Sequence, residues 1–230
     1  MLIKDKNNYK KDLISYLANK YFTDKGTDFG SDPHCYSVLY DNFFKEIQNE
    51  NIRILEMGIG DRDPSIGASL KIWGDYFPNA EIVGLDFNKD VLHIFEVNNK
   101  NNRISVHWCD QSNKDSLNNI VNIYKDNKFD IIIDDGSHQN NHIIMSFEVF
   151  FSKLLKNEGI YVVEDLYGSY VDNNRNTAIE YFKKLIDEKI YGYNKFQANI
   201  TKTTNDIDLQ SIYFYRNICF FFKNKDMITG

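Results

Sequence analysis

At 230 residues the chain is long enough for one domain with a substantial core, and a content of 42% hydrophobic and 15% aromatic residues excludes a disordered polymer. A net charge of −6 and a pI near 5.4 leave no general basic surface for nucleic acid or anionic lipid. Apolar runs such as 131–133 and 218–222 are strand-sized, residues 1–6 carry no apolar leader core, and Cys35, Cys109 and Cys219 lack metal-ligand spacing. A reducing, cytoplasmic setting without membrane insertion is expected.

In chain order, the first stretch reads as two helices, because Leu13, Ile14, Leu17 and Tyr21, then Tyr36, Leu39, Tyr40, Phe43 and Ile47, recur at helical spacing. Between them the polar, Gly- and Pro-marked segment 23–33 reads as a plain connector or a lid beside a site. From residue 52 short apolar strands alternate with helices. The strands are expected at 52–57, 81–86, 104–109, 129–133 and 159–163, with helices such as 70–77 and 142–155 between them. Such alternation implies βαβ units and a parallel sheet. Strands at 211–215 and 218–222 flank Arg216-Asn217, a gap short enough for a tight hairpin, and this ending argues against a dinucleotide dehydrogenase. No repeat or linker divides the chain, so one domain over 1–230 is expected, with N-terminal helices and a lid loop in 1–48 and an α/β core in 49–230.

Ligands of open parallel sheets sit beyond the carboxyl ends of the strands. The first strand ends Glu56-Met57-Gly58-Ile59-Gly60, where Gly58 and Gly60 would let backbone approach a ligand closely. A pyrophosphate fingerprint needs a third glycine at 63, where this chain has aspartate, which disfavours NAD. A simple tight turn competes with the site reading. The second strand ends in Asp86, which could accept from both ribose hydroxyls, and the third leads into Asp110-Gln111-Ser112, polar groups suited to an adenine amino group. Each acid alone could be a helix cap; the ordered set favours a cofactor site.

The fourth strand ends Ile133-Asp134-Asp135-Gly136-Ser137-His138 and the fifth Val163-Glu164-Asp165-Leu166. Neighbouring strands lie about 4.8 Å apart, so their terminal carboxylates converge and repel unless a cation neutralises them. Hard oxygen ligands suit Mg²⁺, with Asp135, Glu164 and Asp165 as expected ligands. Asp134 alternates to the other side and faces the cofactor. His138, three residues after Asp135, can take a proton from a metal-activated hydroxyl without itself being a ligand. The plainer alternative makes Asp135, Ser137 and His138 helix-start residues. The other histidines, His142 among them, are expected to have packing or surface roles.

The stretches Asp24-Lys25-Gly26, 54–60, 67–73, Asp110-Gln111-Ser112, 133–138 and 163–166, in this order, resemble the metal-dependent sugar O-methyltransferases that tailor macrolides and bacterial surface sugars. The likeness spans roughly residues 21–170. It implies the Rossmann-like class I methyltransferase fold, a mostly parallel seven-stranded sheet with a C-terminal antiparallel hairpin and an N-terminal helical lid. It also implies the cofactors S-adenosyl-L-methionine and Mg²⁺. The cofactor residues are then Glu56, Gly58, Gly60, Ser69, Asp86, Asp110, Gln111, Ser112 and Asp134, the last facing the methionyl ammonium. Metal binding falls to Asp135, Glu164 and Asp165, and catalysis to His138 as base with Asp135. The acceptor implied is a sugar hydroxyl, of a nucleotide-linked or surface-polysaccharide sugar such as a heptose in capsule biosynthesis. Another small-molecule diol or catechol, or a non-catalytic nucleotide-binding domain, are the alternatives. The family's long N-terminal region is absent from 1–230, so acceptor and quaternary structure do not carry over, and a homo-oligomer is left open.

Overall fold

The computed structural model describes residues 13–28, 34–60, 65–171, 176–192 and 207–225. Residues 1–6, the 29–33 part of the expected lid loop, Asp63 and the far end of the polar segment after Val171 lie outside the described residues. The chain divides into two compact units, Met1–Trp108 and Cys109–Gly230.

In the first unit the strands β1 (Arg53–Met57), β2 (Glu81–Asp86) and β3 (Ile104–Trp108) pair in parallel in the order β3-β2-β1. The apolar runs of β1 and β2 are buried, as strands covered by helices on a parallel sheet must be. The crossovers are α3 (Ala68–Tyr76) and α4 (Lys89–Asn98). Asn88 caps α4 by accepting from Asp90 N. The C-terminus of α3 is closed by Arg103, whose guanidinium donates to the carbonyls of Gly74, Phe77 and Ala80 at 2.8, 3.1 and 2.8 Å. The periodicity at the start of the chain gives α1 (Leu13–Lys20) and α2 (Tyr36–Phe44), the latter running into a 3₁₀ turn at Lys45–Ile47. Helix α1 packs on α2 and α3. Tyr40, Phe44 and Phe77 surround Trp73 of α3 with ring centroids 5.0, 6.1 and 6.5 Å away. The described part of the expected lid is tied to these helices: Thr27 N donates to Asn19 Oδ1, and Ser37 N to Lys25 O.

The second unit holds β4 (Phe129–Asp134) parallel to β5 (Leu155–Val163), then β7 (Cys219–Lys223) antiparallel to both β5 and β6 (Leu209–Phe214), in the order β4-β5-β7-β6. Its helices are α5 (Lys114–Tyr124), α6 (Asn140–Lys153) and α7 (Ala178–Gly192). Phe147 of α6 centres the core, with Tyr161, Phe182 and Phe221 rings at 5.1, 5.2 and 4.8 Å. Lys223 is buried and donates to Phe151 O and Leu155 O at 2.9 and 3.0 Å, so a strand residue terminates α6.

The inventory of seven mostly parallel strands with a C-terminal antiparallel pair is the one expected, and the fold is Rossmann-like. Most boundaries shift by a residue or two, and one shifts further. Strand β5 begins at Leu155 rather than 159, because Leu155 pairs with Phe129 before Glu158 takes a left-handed conformation (φ 61°) and pairing resumes at Ile160. The hairpin turns at Arg216-Asn217 as expected, closed by Tyr215 N donating to Ile218 O at 2.9 Å. Among the described residues no helix is long and apolar enough to cross a membrane.

Gly67 starts α3 with φ 66°, its N–H donates to Ile59 O at 2.6 Å, and a Cβ there would collide with the Phe95 ring. Gly67→Ala therefore combines left-handed strain with a clash and should lower stability by about 2 kcal/mol or more, read from urea unfolding.

Candidate active site

In the first unit the turn after β1 needs its glycines, since Gly58 and Gly60 have φ of 83° and 98°. Asp86 pins this turn: Oδ2 accepts from Ile59 N at 3.1 Å and Oδ1 from Asn88 N at 2.8 Å. A carboxylate oxygen takes more than one hydrogen bond, so a half-buried Asp86 can still accept from a diol. Ser69 is buried in the first turn of α3. Glu56 is redirected: fully buried, it accepts from Trp73 Nε1 at 2.7 Å and turns its carboxylate towards α3.

In the second unit the residues after β3 form a tight local turn. Asp110 accepts from both N and Oγ of Ser112, at 2.9 and 2.6 Å, and the hydroxyl hydrogen bond holds its pKa below the usual carboxylate value. Gln111 and Asp134, both expected to face a cofactor, face each other. Gln111 Nε2 lies 2.8 Å from each oxygen of Asp134, and Ser146 Oγ donates to Oδ2 at 2.6 Å. With Asp134 only 1% exposed, burial pushes its pKa up to about 6, while the Ser146 and Gln111 hydrogen bonds pull it back. Ser146 escaped the sequence reading, although a serine on the buried face of α6 among Ile143, Phe147 and Phe150 signals a polar partner.

Beyond β4 and β5 a side-chain cluster forms from Asp135, His138 and Asp165, whose ligand atoms lie within 4.8 Å of one another. Two carboxylates and an imidazole at this spacing can hold a cation. His138 Nε2 is 3.8 Å from Asp165 Oδ2, beyond hydrogen-bond length. Both residues sit in the left-handed region, at φ 56° and 54°. Backbone of this kind is uncommon outside glycine and is concentrated at functional sites. Glu164 is outside this cluster and buried, with 1% exposure.

Asn217, in the turn between β6 and β7, supports Asp165. Its Nδ2 donates to Asp165 Oδ1 at 3.2 Å, while its Oδ1 accepts from Tyr167 N at 2.7 Å. Ser137 Oγ is 2.8 Å from His142 Nδ1, so His142, expected to be incidental, joins the loop of the cluster. An open cleft of about 810 Å³ borders the cluster, and Ser137, His138, Asn141, Glu148 and Tyr167 are among its lining residues. Asp134→Asn would replace one acceptor oxygen by a donor facing Gln111 and Ser146. It should destabilise the protein by about 1–3 kcal/mol at neutral pH, measured by urea unfolding.

Residues 48–209 match the family model described as a methyltransferase domain. The chain is 31% identical over 228 residues to mycinamicin VI 2''-O-methyltransferase of Micromonospora griseorubida, a match covering 94% of this chain and 54% of the relative. To L-olivosyl-oleandolide 3-O-methyltransferase of Streptomyces antibioticus it is 34% identical over 191 residues, 77% of this chain and 46% of the relative. Among solved structures, the MycE methyltransferase from the mycinamycin biosynthetic pathway, in complex with Mg and SAH, superposes with a TM-score of 0.74. The identity is 31%, covering 96% of this chain and 57% of that one. The chain thus spans about half the length of these relatives. With most of its length matching the family model and with the fold that the solved relative shares, the chain belongs to the methyltransferase domain family.

Proposed function

We propose that the chain is an S-adenosyl-L-methionine- and Mg²⁺-dependent O-methyltransferase acting on a hydroxyl of a sugar. The observation that carries this reading is the cluster of Asp135, His138 and Asp165 beyond β4 and β5, in a member of a methyltransferase family. Support comes from relatives named for O-methylation of glycosylated natural products and from a solved relative holding Mg and SAH. A single methyltransferase domain over 1–230 is part of the proposal, and its free cysteines are in keeping with a reducing, cytoplasmic compartment.

The donor set fits the cation. Asp135 and Asp165 supply hard oxygens, and Glu164 is assigned as the third ligand because a carboxylate this buried gains from a nearby positive charge. When bound, the cation would supply the charge that makes an acceptor hydroxyl more acidic, and the cofactor would supply the methyl group. His138 lines the cleft and accepts the hydroxyl proton; Mg²⁺ prefers oxygen, so the imidazole stays available. Gly58, Gly60, Asp86 and Ser69 in the first unit, and Asp110 and Ser112 in the second, are assigned to the cofactor. Glu56, Gln111 and Asp134, expected beside the cofactor, are engaged with protein partners instead.

Among the described residues the cleft wall offers amides from Gln139 and Asn141, the cation of Lys114 and the carboxylate of Glu148, chemistry suited to sugar hydroxyls. The acceptor proposed is therefore a glycoside. A nucleotide-linked sugar or a capsule heptose, expected from the sequence, has no counterpart among the relatives' names.

Calorimetry with S-adenosylhomocysteine should show one site per chain and NAD none. Asp86→Asn should weaken the site by about tenfold, the scale of a hydrogen bond to a charged group. Transfer of labelled methyl to a panel of glycosides should require Mg²⁺, and Asp135→Asn or Asp165→Asn should abolish it. Full turnover in excess EDTA would overturn the metal assignment. His138→Asn, a residue that tolerates left-handed backbone, should lose about 10²–10⁴-fold in rate with cofactor affinity retained.

A further inference from the structure

We propose that Gln111 is a positioning residue whose side-chain amide anchors the loop carrying His138, with the buried Asp134 and Ser146 fixing which end of the amide faces that loop. Its structural content stands alone; its effect on turnover rests on the methyltransferase reading above.

An ionised carboxylate only accepts hydrogen bonds. Asp134 lies 2.8 Å from Gln111 Nε2 through both oxygens, so the NH₂ end of the amide must face it. Ser146 donates its single proton to Asp134 Oδ2 at 2.6 Å and accepts from Gln111 Nε2 at 3.0 Å. A flipped amide would set its oxygen against the carboxylate and against the serine lone pairs, so polarity is enforced from two sides. Oε1 is then directed outwards and accepts from Ser137 N at 2.9 Å. Gly136 makes this reach feasible, because a Cβ there would collide with Gln111 Oε1. Ser137 immediately precedes His138, whose left-handed backbone at φ 56° persists only if its surroundings hold it. One anchored amide just before that residue does so. Gln111 itself is 9% exposed, which leaves little surface for direct contact with a cofactor.

Backbone amide exchange at Ser137 tests this without reference to turnover. In Gln111→Met, close in length but without polar atoms, Ser137 exchange should accelerate about tenfold or more while the amides of β4 stay protected. Affinity for S-adenosylhomocysteine should stay within about twofold, and kcat should fall about tenfold with little change in acceptor KM. Ser146→Ala loosens the same buried network but leaves both Gln111–Asp134 contacts, so Ser137 exchange should change by less than about threefold. Should Gln111→Met not fold, Gln111→Asn, one methylene short of Ser137, gives the same readouts. Unchanged Ser137 exchange would overturn the proposal. So would a tenfold loss of S-adenosylhomocysteine affinity, which would make Gln111 a cofactor ligand. Faster Ser137 exchange in a protein whose wild type transfers no methyl would uphold the anchor and reject the methyltransferase reading.

Discussion

Burying the carboxylate of Asp134 at the end of β4 obliges the second unit to surround it with donors, and much of the neighbouring sequence answers that demand. A charged group at 1% exposure is tolerated only when hydrogen-bonded. Gln111 comes from the segment after β3, Ser146 from the buried face of α6, and Tyr161 from β5, at 3.5 Å. Three separate elements are thereby tied to one strand end. The apolar run Ile131–Ile133 before it is fully buried, so the strand itself offers no slack, and the residues after Asp134 inherit a fixed starting point.

From that point the chain turns through Gly136 to His138, while β5 turns through Asp165 towards the 3₁₀ turn Leu166–Tyr170. The antiparallel pair at the end of the chain supports the second of these turns. Asn217 bonds Asp165 and the backbone of Leu166 and Tyr167, so the hairpin serves the site as well as extending the sheet. Asp134 held by Gln111 and Ser146, and Asp165 held by Asn217, make the arrangement suited to preorganised chemistry.

The fold was legible because its signals are local and repeated: apolar strands of five or six residues, helical periodicity between them, and a terminal strand pair. The chemistry-bearing runs 133–138 and 163–166 were legible for the same reason, since strand ends carry ligands in this architecture. The orientation of individual side chains was not. Glu56 faces Trp73 and Gln111 faces Asp134. Each outcome depends on which neighbour lies closest in space, and that is decided by packing rather than by alternation along one strand. Asn217 and His142 were overlooked because an asparagine in a turn and a histidine at a helix start have ordinary local explanations.

The left-handed backbone at His138 and Asp165 has a consequence for chemical complementation. Glycine is the residue that such a conformation strains least, so removing either side chain entirely leaves the local path of the chain intact. The void left by the imidazole would open onto the 810 Å³ cleft rather than being sealed in the core. A small exogenous base can therefore diffuse to the place His138 vacates. The cleft that leads to that place is formed by the surrounding loop and α6 and does not depend on the imidazole.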